Sequence, residues 1–250
     1  MNFYNTFLKT KTNLMKKLFT LLFATAFLFS CSSDSSSDSN TAGLSNTPLA
    51  KAQFDESNLG IYKGVFTGSS GTITVNVKND GNVNATLVID GVSSTFTTTE
   101  EVNETGAIAN LTFTSGTMSF DLNISNNGEN VEATALIFPN HPNATLNILK
   151  EYSDLQVKCY EGNYTGTSTG VLNIVTSDDY VSGLIFPTGA EDAMFLDGTS
   201  DGSALSGTYG EGLDAGTFLG NLTGNSMSGT WTNTSPENPA SGNWTAQRKL

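Results

Sequence analysis

Along much of this chain apolar residues recur at every second position. Ile73, Val75 and Val77 alternate with Thr74, Asn76 and Lys78, and Met118, Phe120, Leu122 and Ile124 alternate with Ser119, Asp121 and Asn123. Val83, Ala85, Leu87 and Ile89 follow the same rule. Successive side chains of a strand point to opposite faces, so a period of two predicts half-buried strands with one apolar and one polar face. Asp80-Gly81, Asp90-Gly91, Asn127-Gly128, Asp197-Gly198 and Asp201-Gly202 separate such runs. These dipeptides accept positive φ and predict tight hairpin turns. The pattern predicts strands at 61–67, 71–78, 82–90, 93–99, 107–114, 117–125, 130–138 and 143–150, with a single helical turn before the first, at 52–58.

The pattern then repeats. Tyr62-Lys63-Gly64-Val65-Phe66-Thr67-Gly68 matches Tyr160-Glu161-Gly162-Asn163-Tyr164-Thr165-Gly166 at an offset of 98, and Val83, Phe120 and Lys150 have counterparts near Val181, Phe218 and Lys249. A fixed offset of this kind marks a duplication. Two repeats are expected, 51–150 and 151–250, the second also carrying eight strands and a helical turn at 151–158.

Glycine stands two residues before an aromatic at Gly60/Tyr62, Gly64/Phe66, Gly162/Tyr164, Gly207/Tyr209, Gly216/Phe218, Gly229/Trp231 and Gly242/Trp244. Positions i and i+2 of a strand share a face, so each glycine leaves space that a ring can cover and eases the bending of a small closed sheet. Sequential hairpins without a long crossover imply up-and-down order. The fold class is therefore all-β, with two tandem meander barrels of about eight short antiparallel strands each. In this architecture each repeat resembles the meander barrels of lipocalins and avidins. One continuous β-sandwich is the alternative.

Ahead of the repeats, Lys16 and Lys17 precede an apolar run from Leu18 to Phe29, and Leu28-Phe29-Ser30-Cys31 follows. The run is too short for a membrane span and has the charge order of a secretory signal. With Cys31 it resembles the lipobox of bacterial lipoproteins, although Phe29 is bulkier than that pattern usually holds. The resemblance implies a signal peptide over 1–30, read from Met1 or from Met15, and a lipid on Cys31. It places the protein in the bacterial cell envelope, at the outer membrane, on a side that the sequence leaves open. Residues 31–50 are polar and low in complexity. As a flexible coil they would span about 25 Å. Asp34 and Asp38 in this tether resemble the surface-export signal of Bacteroidetes lipoproteins; a plain serine-rich tether is the other reading.

The formal net charge is −13. Four of the eleven basic residues lie before Cys31, which leaves seven against 24 acidic residues and a net of about −17. Such a chain repels phosphate backbones, so nucleic acid is excluded as a partner class. Cys159 would be the one thiol left beside a lipidated Cys31, and it reads as a buried small hydrophobe near the start of a strand.

Motifs for catalysis are sparse. His141, the single histidine, lies in the two-proline turn 138–143 and reads as an exposed loop residue without a nucleophile motif. The acid pairs Asp178-Asp179, Glu191-Asp192 and Glu100-Glu101 would be the route to a carboxylate-dependent hydrolase, yet all are expected in loops. Asp197 and Asp201 have oxygen-ligand spacing of a calcium loop but lack the remaining acids of one. No cofactor is called for.

Tyr164, Tyr209, Trp231 and Trp244 are the candidates for ligand binding, because exposed rings stack on sugar faces or apolar ligands; core packing is the alternative for all four. The function expected is non-catalytic binding or adhesion, toward a glycan or protein ligand, by a protein attached to the membrane through its lipid. The second expectation is a carrier enclosing a small apolar ligand in a barrel.

Overall fold

The computed structural model describes residues 44–233, 235 and 239–250. Cys31, the leader and the tether through residue 43 lie outside the described residues. The described residues all belong to one compact unit.

The first repeat contains β1 (Gly60–Thr67), β2 (Gly71–Val77), β3 (Val83–Ile89), β4 (Val92–Thr97), β5 (Ile108–Ser115), β6 (Met118–Ser125), β7 (Asn130–Ile137) and β8 (Thr145–Glu151). Each limit agrees with the expected one to within two residues. The second contains β9 (Val157–Gly166), β10 (Gly170–Ser177), β11 (Tyr180–Pro187), β12 (Met194–Ser200), β13 (Ala204–Tyr209), β14 (Gly216–Thr223), β15 (Ser226–Asn233) and β16 (Ala240–Arg248). Strands β9–β16 form a closed antiparallel barrel, and β1–β8 an eight-stranded meander with β8 against β1 and the sheet left open between β7 and β8. Tandem meander barrels are thus the architecture.

The hairpins form where the sequence supplies left-handed residues. Asp90 (φ 49°) and Gly91 (φ 80°) both take positive φ between β3 and β4, the requirement of a type I′ turn. Asp197-Gly198 departs from expectation. It lies inside β12, with Gly198 directly opposite Gly207, because the glycine is needed for packing and not for a turn. The helical turn expected at 52–58 shrinks to a 3-10 turn over Ala52–Phe54. The one expected at 151–158 is absent. Glu151 ends β8, Tyr152 and Leu155 exchange backbone hydrogen bonds of 3.2 Å, and β9 begins at Val157.

The two interiors differ. In the first barrel Phe66, Phe96, Phe113, Phe120 and Phe138 meet with aliphatic residues at the centre, Phe113 stacked on Phe120 at 5.1 Å. The 138–144 connection folds inward, so Phe138 meets the edge of Phe66 at 5.5 Å. His141, expected in solvent, is half-buried and edge-on to the same ring at 5.4 Å.

A third cluster joins the barrels. Val65 on the outer face of β1 packs with Val157, Cys159, Val175 and Leu184 of the second repeat. Cys159 is fully buried there, and burial pushes its thiol far above the usual range. Asn173 donates across the same interface to the carbonyl of Phe66 at 2.7 Å. The tether expected through residue 50 is docked at its end. Leu49 N donates to Glu151, and Arg248 donates to Asn46 and to the carbonyl of Ser45.

The duplication also shows in charge. Lys63 of β1 pairs with Glu151 of β8 at 2.5 Å, both buried; at the equivalent positions, Glu161 of β9 meets Lys249 after β16 at 4.0 Å with its partner half-exposed. First and last strands are bridged by an ion pair in each repeat, with opposite polarity. Glu151 also accepts the N–H groups of Leu49 and Val157, so Lys63 neutralises a carboxylate to which three chain segments are tied.

Truncating one member of a buried pair leaves an uncompensated charge, so Lys63→Met should cost about 3–5 kcal/mol of stability in urea unfolding. Lys249→Met, at the longer, half-exposed pair, should cost at most about 1 kcal/mol. Equal effects would contradict this description of the two pairs.

Candidate functional site

The closed barrel places its inward side chains by strand register. On β13 and β14, Gly207-Thr208-Tyr209 runs antiparallel to Gly216-Thr217-Phe218, and the pairs are Gly207 with Phe218 and Tyr209 with Gly216. On β15 and β16, Gly229 pairs with Trp244 and Trp231 with Gly242. Tyr164 pairs with Gly170 across β9 and β10. Each ring therefore faces a glycine on one neighbouring strand, while on the other side Phe218 faces Trp231 and Tyr164 faces Trp244.

The rings lie on those glycines. A Cβ at Gly216 would be 2.3 Å from Tyr209 Cζ, one at Gly242 2.5 Å from Trp231 Nε1, and one at Gly170 2.7 Å from Tyr164 Cε1. Trp244 reaches past Gly229 to Gly220, where a Cβ would meet its Cζ2 at 2.3 Å. The indole N–H groups are held by backbone carbonyls, Trp231 by Thr165 at 3.0 Å and Trp244 by Leu219 and Thr230 at 3.2 Å each. Rings laid along the wall keep out of the axis.

What remains at the centre is a cavity of about 490 Å³, walled by Tyr164, Leu172, Ile174, Ile185, Leu196, Tyr209, Phe218, Trp231 and Trp244. This volume is within the range of small-molecule sites. All four rings singled out from the sequence line it, so they are at once buried in the barrel and the surface of a cavity. The sequence reading treated those two roles as exclusive.

The cavity lies toward one end of the barrel. Tyr164, Ile185, Tyr209 and Trp231, at the end carrying the connections 167–169, 188–193 and 210–215, are 7–9% exposed. Tyr160, Val181, Leu205 and Met227, toward the end closed by the short turns 178–179, 201–203 and 224–225, are 0–2% exposed and form a packed floor. Ser168, Asp192, Asp214 and Asn233 are the polar lining residues at the mouth.

Burial raises the phenols of Tyr164 and Tyr209, and for Tyr209 the nearby Tyr164 and the Asp214 carboxylate add to it, pushing it up to about 12. Tyr209 is thus a neutral phenol at ordinary pH. Its hydroxyl is buried and has no hydrogen-bond partner among the described residues.

The other candidates stand apart. Asp197 accepts a hydrogen bond from Tyr180 Oη at 2.9 Å on the outside of β12, while Asp201 accepts from Ser203 N, Ser203 Oγ and Ala204 N in its turn. These bonds from the turn hold the Asp201 carboxyl below its usual range. Among the described residues no three His, Cys, Asp or Glu side chains converge on a metal position. Of the acid pairs, only Glu191-Asp192 approaches the cavity, and only through Asp192.

Sequence reasoning missed the aliphatic wall, Leu172, Ile174, Ile185 and Leu196, and Asp214 at the rim; Asp192 was singled out only as half of an acid pair. The signal was present for the wall, since these residues alternate on β10 to β12. Nothing in one strand's pattern tells an inward residue that touches a neighbour from one that borders space. No protein-family profile and no curated protein sequence matches the chain.

If ring and glycine are interlocked, Gly220→Ala should cost about 1–3 kcal/mol by overpacking. In a Trp244→Leu background that cost should shrink, which a double-mutant cycle in urea would read. Full additivity would mean that the indole is not what fills the space above Gly220.

Proposed function

We propose that this chain is a lipid-anchored protein of the bacterial envelope whose second barrel holds a small, largely apolar ligand. The observation that carries the reading is the cavity of about 490 Å³ behind a mouth of aromatic residues. Apolar and aromatic walls with a few polar groups at the rim are the usual composition of a binding site for a small molecule. The first barrel, filled by its own phenylalanines, serves as a rigid companion. Between the two expectations, enclosure of a ligand is favoured over adhesion, because the rings with the greatest binding potential face inward.

The placement of the docked segment fits an anchored receptor. Ser45 and Asn46 bind Arg248, which pairs with Tyr160 near the floor of the barrel, whereas Tyr164 and Trp231 are at the other end. A chain arriving from a membrane anchor would meet the barrel at its floor and leave the mouth directed outward.

The purified protein should bind the fluorescent apolar probe N-phenyl-1-naphthylamine with energy transfer from Trp231 and Trp244. Leu172→Trp, which fills the cavity from β10, should weaken that binding by tenfold or more, on the order of a lost buried contact of 1.4 kcal/mol, while the far-UV spectrum is unchanged. Probe binding that survives the filling, or no binding at all, would count against the reading. For the anchor, Cys31→Ser should shift the protein from the detergent to the aqueous phase on Triton X-114 partition; unchanged partition would remove the lipid from the proposal.

A further inference from the structure

We propose that the ligand carries a cationic group, a protonated amine or quaternary ammonium, seated at the mouth between Asp192 and Asp214 against the rings of Tyr209 and Trp231. The inference rests on reading the cavity as a ligand site and goes on to name the chemistry of the ligand.

Two independent features agree. The first is charge. The lining of the cavity includes two carboxylates and no lysine, arginine or histidine among the described residues. Asp192 and Asp214 come from different connections, 188–193 and 210–215, both are exposed, and neither is in an ion pair among the described residues. An anionic amphiphile such as a fatty acid would bring its head group to this rim with nothing to neutralise it.

The second feature is ring geometry. Trp231 stands nearly perpendicular to Tyr164, at 5.7 Å and 89°, and to Tyr209, at 6.4 Å and 77°. Perpendicular rings form a corner with more than one π face, the arrangement in which aromatic side chains surround an ammonium group. The indole is fixed in this position by its bond to the Thr165 carbonyl and by Gly242 beneath it.

The test is calorimetric titration of the whole protein with three probes that share one apolar tail, decyltrimethylammonium, decanol and decanoate, each below its micellar concentration and at low salt. The expected order is ammonium, then alcohol, then carboxylate, with the ammonium favoured over the alcohol by roughly tenfold, the size of a desolvated cation–π contact. Asp192→Asn and Asp214→Asn should each remove about three- to tenfold of the ammonium's affinity, since opposite charges at a partly desolvated rim attract on that scale, and should leave decanol unchanged. Glu191→Gln removes the same charge from the same connection without lining the cavity, and should leave both probes unchanged.

Equal affinity for ammonium and alcohol, or a preference for the carboxylate, would overturn the cationic assignment while the cavity stands as an apolar site. A Glu191→Gln effect as large as that of Asp192→Asn would also overturn it, by reducing the preference to the general field of an acidic protein. Failure of all three probes to bind would remove both the assignment and the ligand site beneath it.

Discussion

The second barrel depends on the opposition of aromatic rings and glycines across its strand ladder. A ring on an inward position of a narrow barrel normally points toward the axis and fills it. Here Tyr209 has Gly216 across the ladder, Phe218 has Gly207, Trp231 has Gly242 and Trp244 has Gly229. With no Cβ opposite, the ring can fold down onto the adjacent backbone and cover it. The covered glycines gain the apolar contact that their missing side chains would have supplied, and the axis is left free. Both the curvature of the sheet and the cavity follow from one pairing rule.

The same rule explains why two copies of one fold differ in their interiors. The pair at the start of each repeat is preserved, Phe66 over Gly71 in the first and Tyr164 over Gly170 in the second. Beyond it the first barrel sets Phe113 against Phe120 and Phe96 against Ala85 with no glycine in the register, whereas in the second Phe218 faces Trp231 and Tyr164 faces Trp244 but each of these rings also has a glycine on its other side. The rings of the first barrel cannot lie flat and meet at the centre, where Phe138 joins them. Divergence after duplication thus acted on the residues across the ladder from the aromatics as much as on the aromatics. The swapped ion pairs Lys63–Glu151 and Glu161–Lys249 show a similar drift, with the buried one now shared between the β1–β8 pairing of the first repeat and its junction with the second.

Strand positions were legible because period-two alternation and Asp-Gly turns are local signals, and Ile73 to Val77 or Met118 to Ile124 carry them without interruption. The Gly-x-aromatic repeat was legible too, but its meaning was not. Read along one strand it places ring and glycine on the same face; the partner of Trp231 is Gly242, eleven residues away, and only the register shows it. Asp197-Gly198 was misread as a turn for the same reason, since its glycine answers to Gly207 and lies under Phe218. His141 was placed in solvent because its proline-flanked sequence is that of a loop, whereas the loop folds onto Phe66. The cavity itself is a difference between the space a barrel encloses and the volume of its side chains, and no local pattern reports that difference.

A hollow of this size also constrains what the protein can be. Scaled from the cost of engineered core cavities, about 490 Å³ of dry empty space would cost about 12 kcal/mol, as much as the whole stability of an ordinary domain. Such a void could not be left closed and empty. The open mouth relieves the penalty by admitting water, yet water against Trp231, Phe218 and Ile185 finds few partners, and its release on binding favours an apolar occupant. The polar groups that could hold water or a ligand head, Ser168, Asp192, Asp214 and Asn233, are gathered at one end of the hollow. That separation of an apolar depth from an acidic rim gives the hollow a direction, which an amphipathic molecule with its apolar part toward the floor would match.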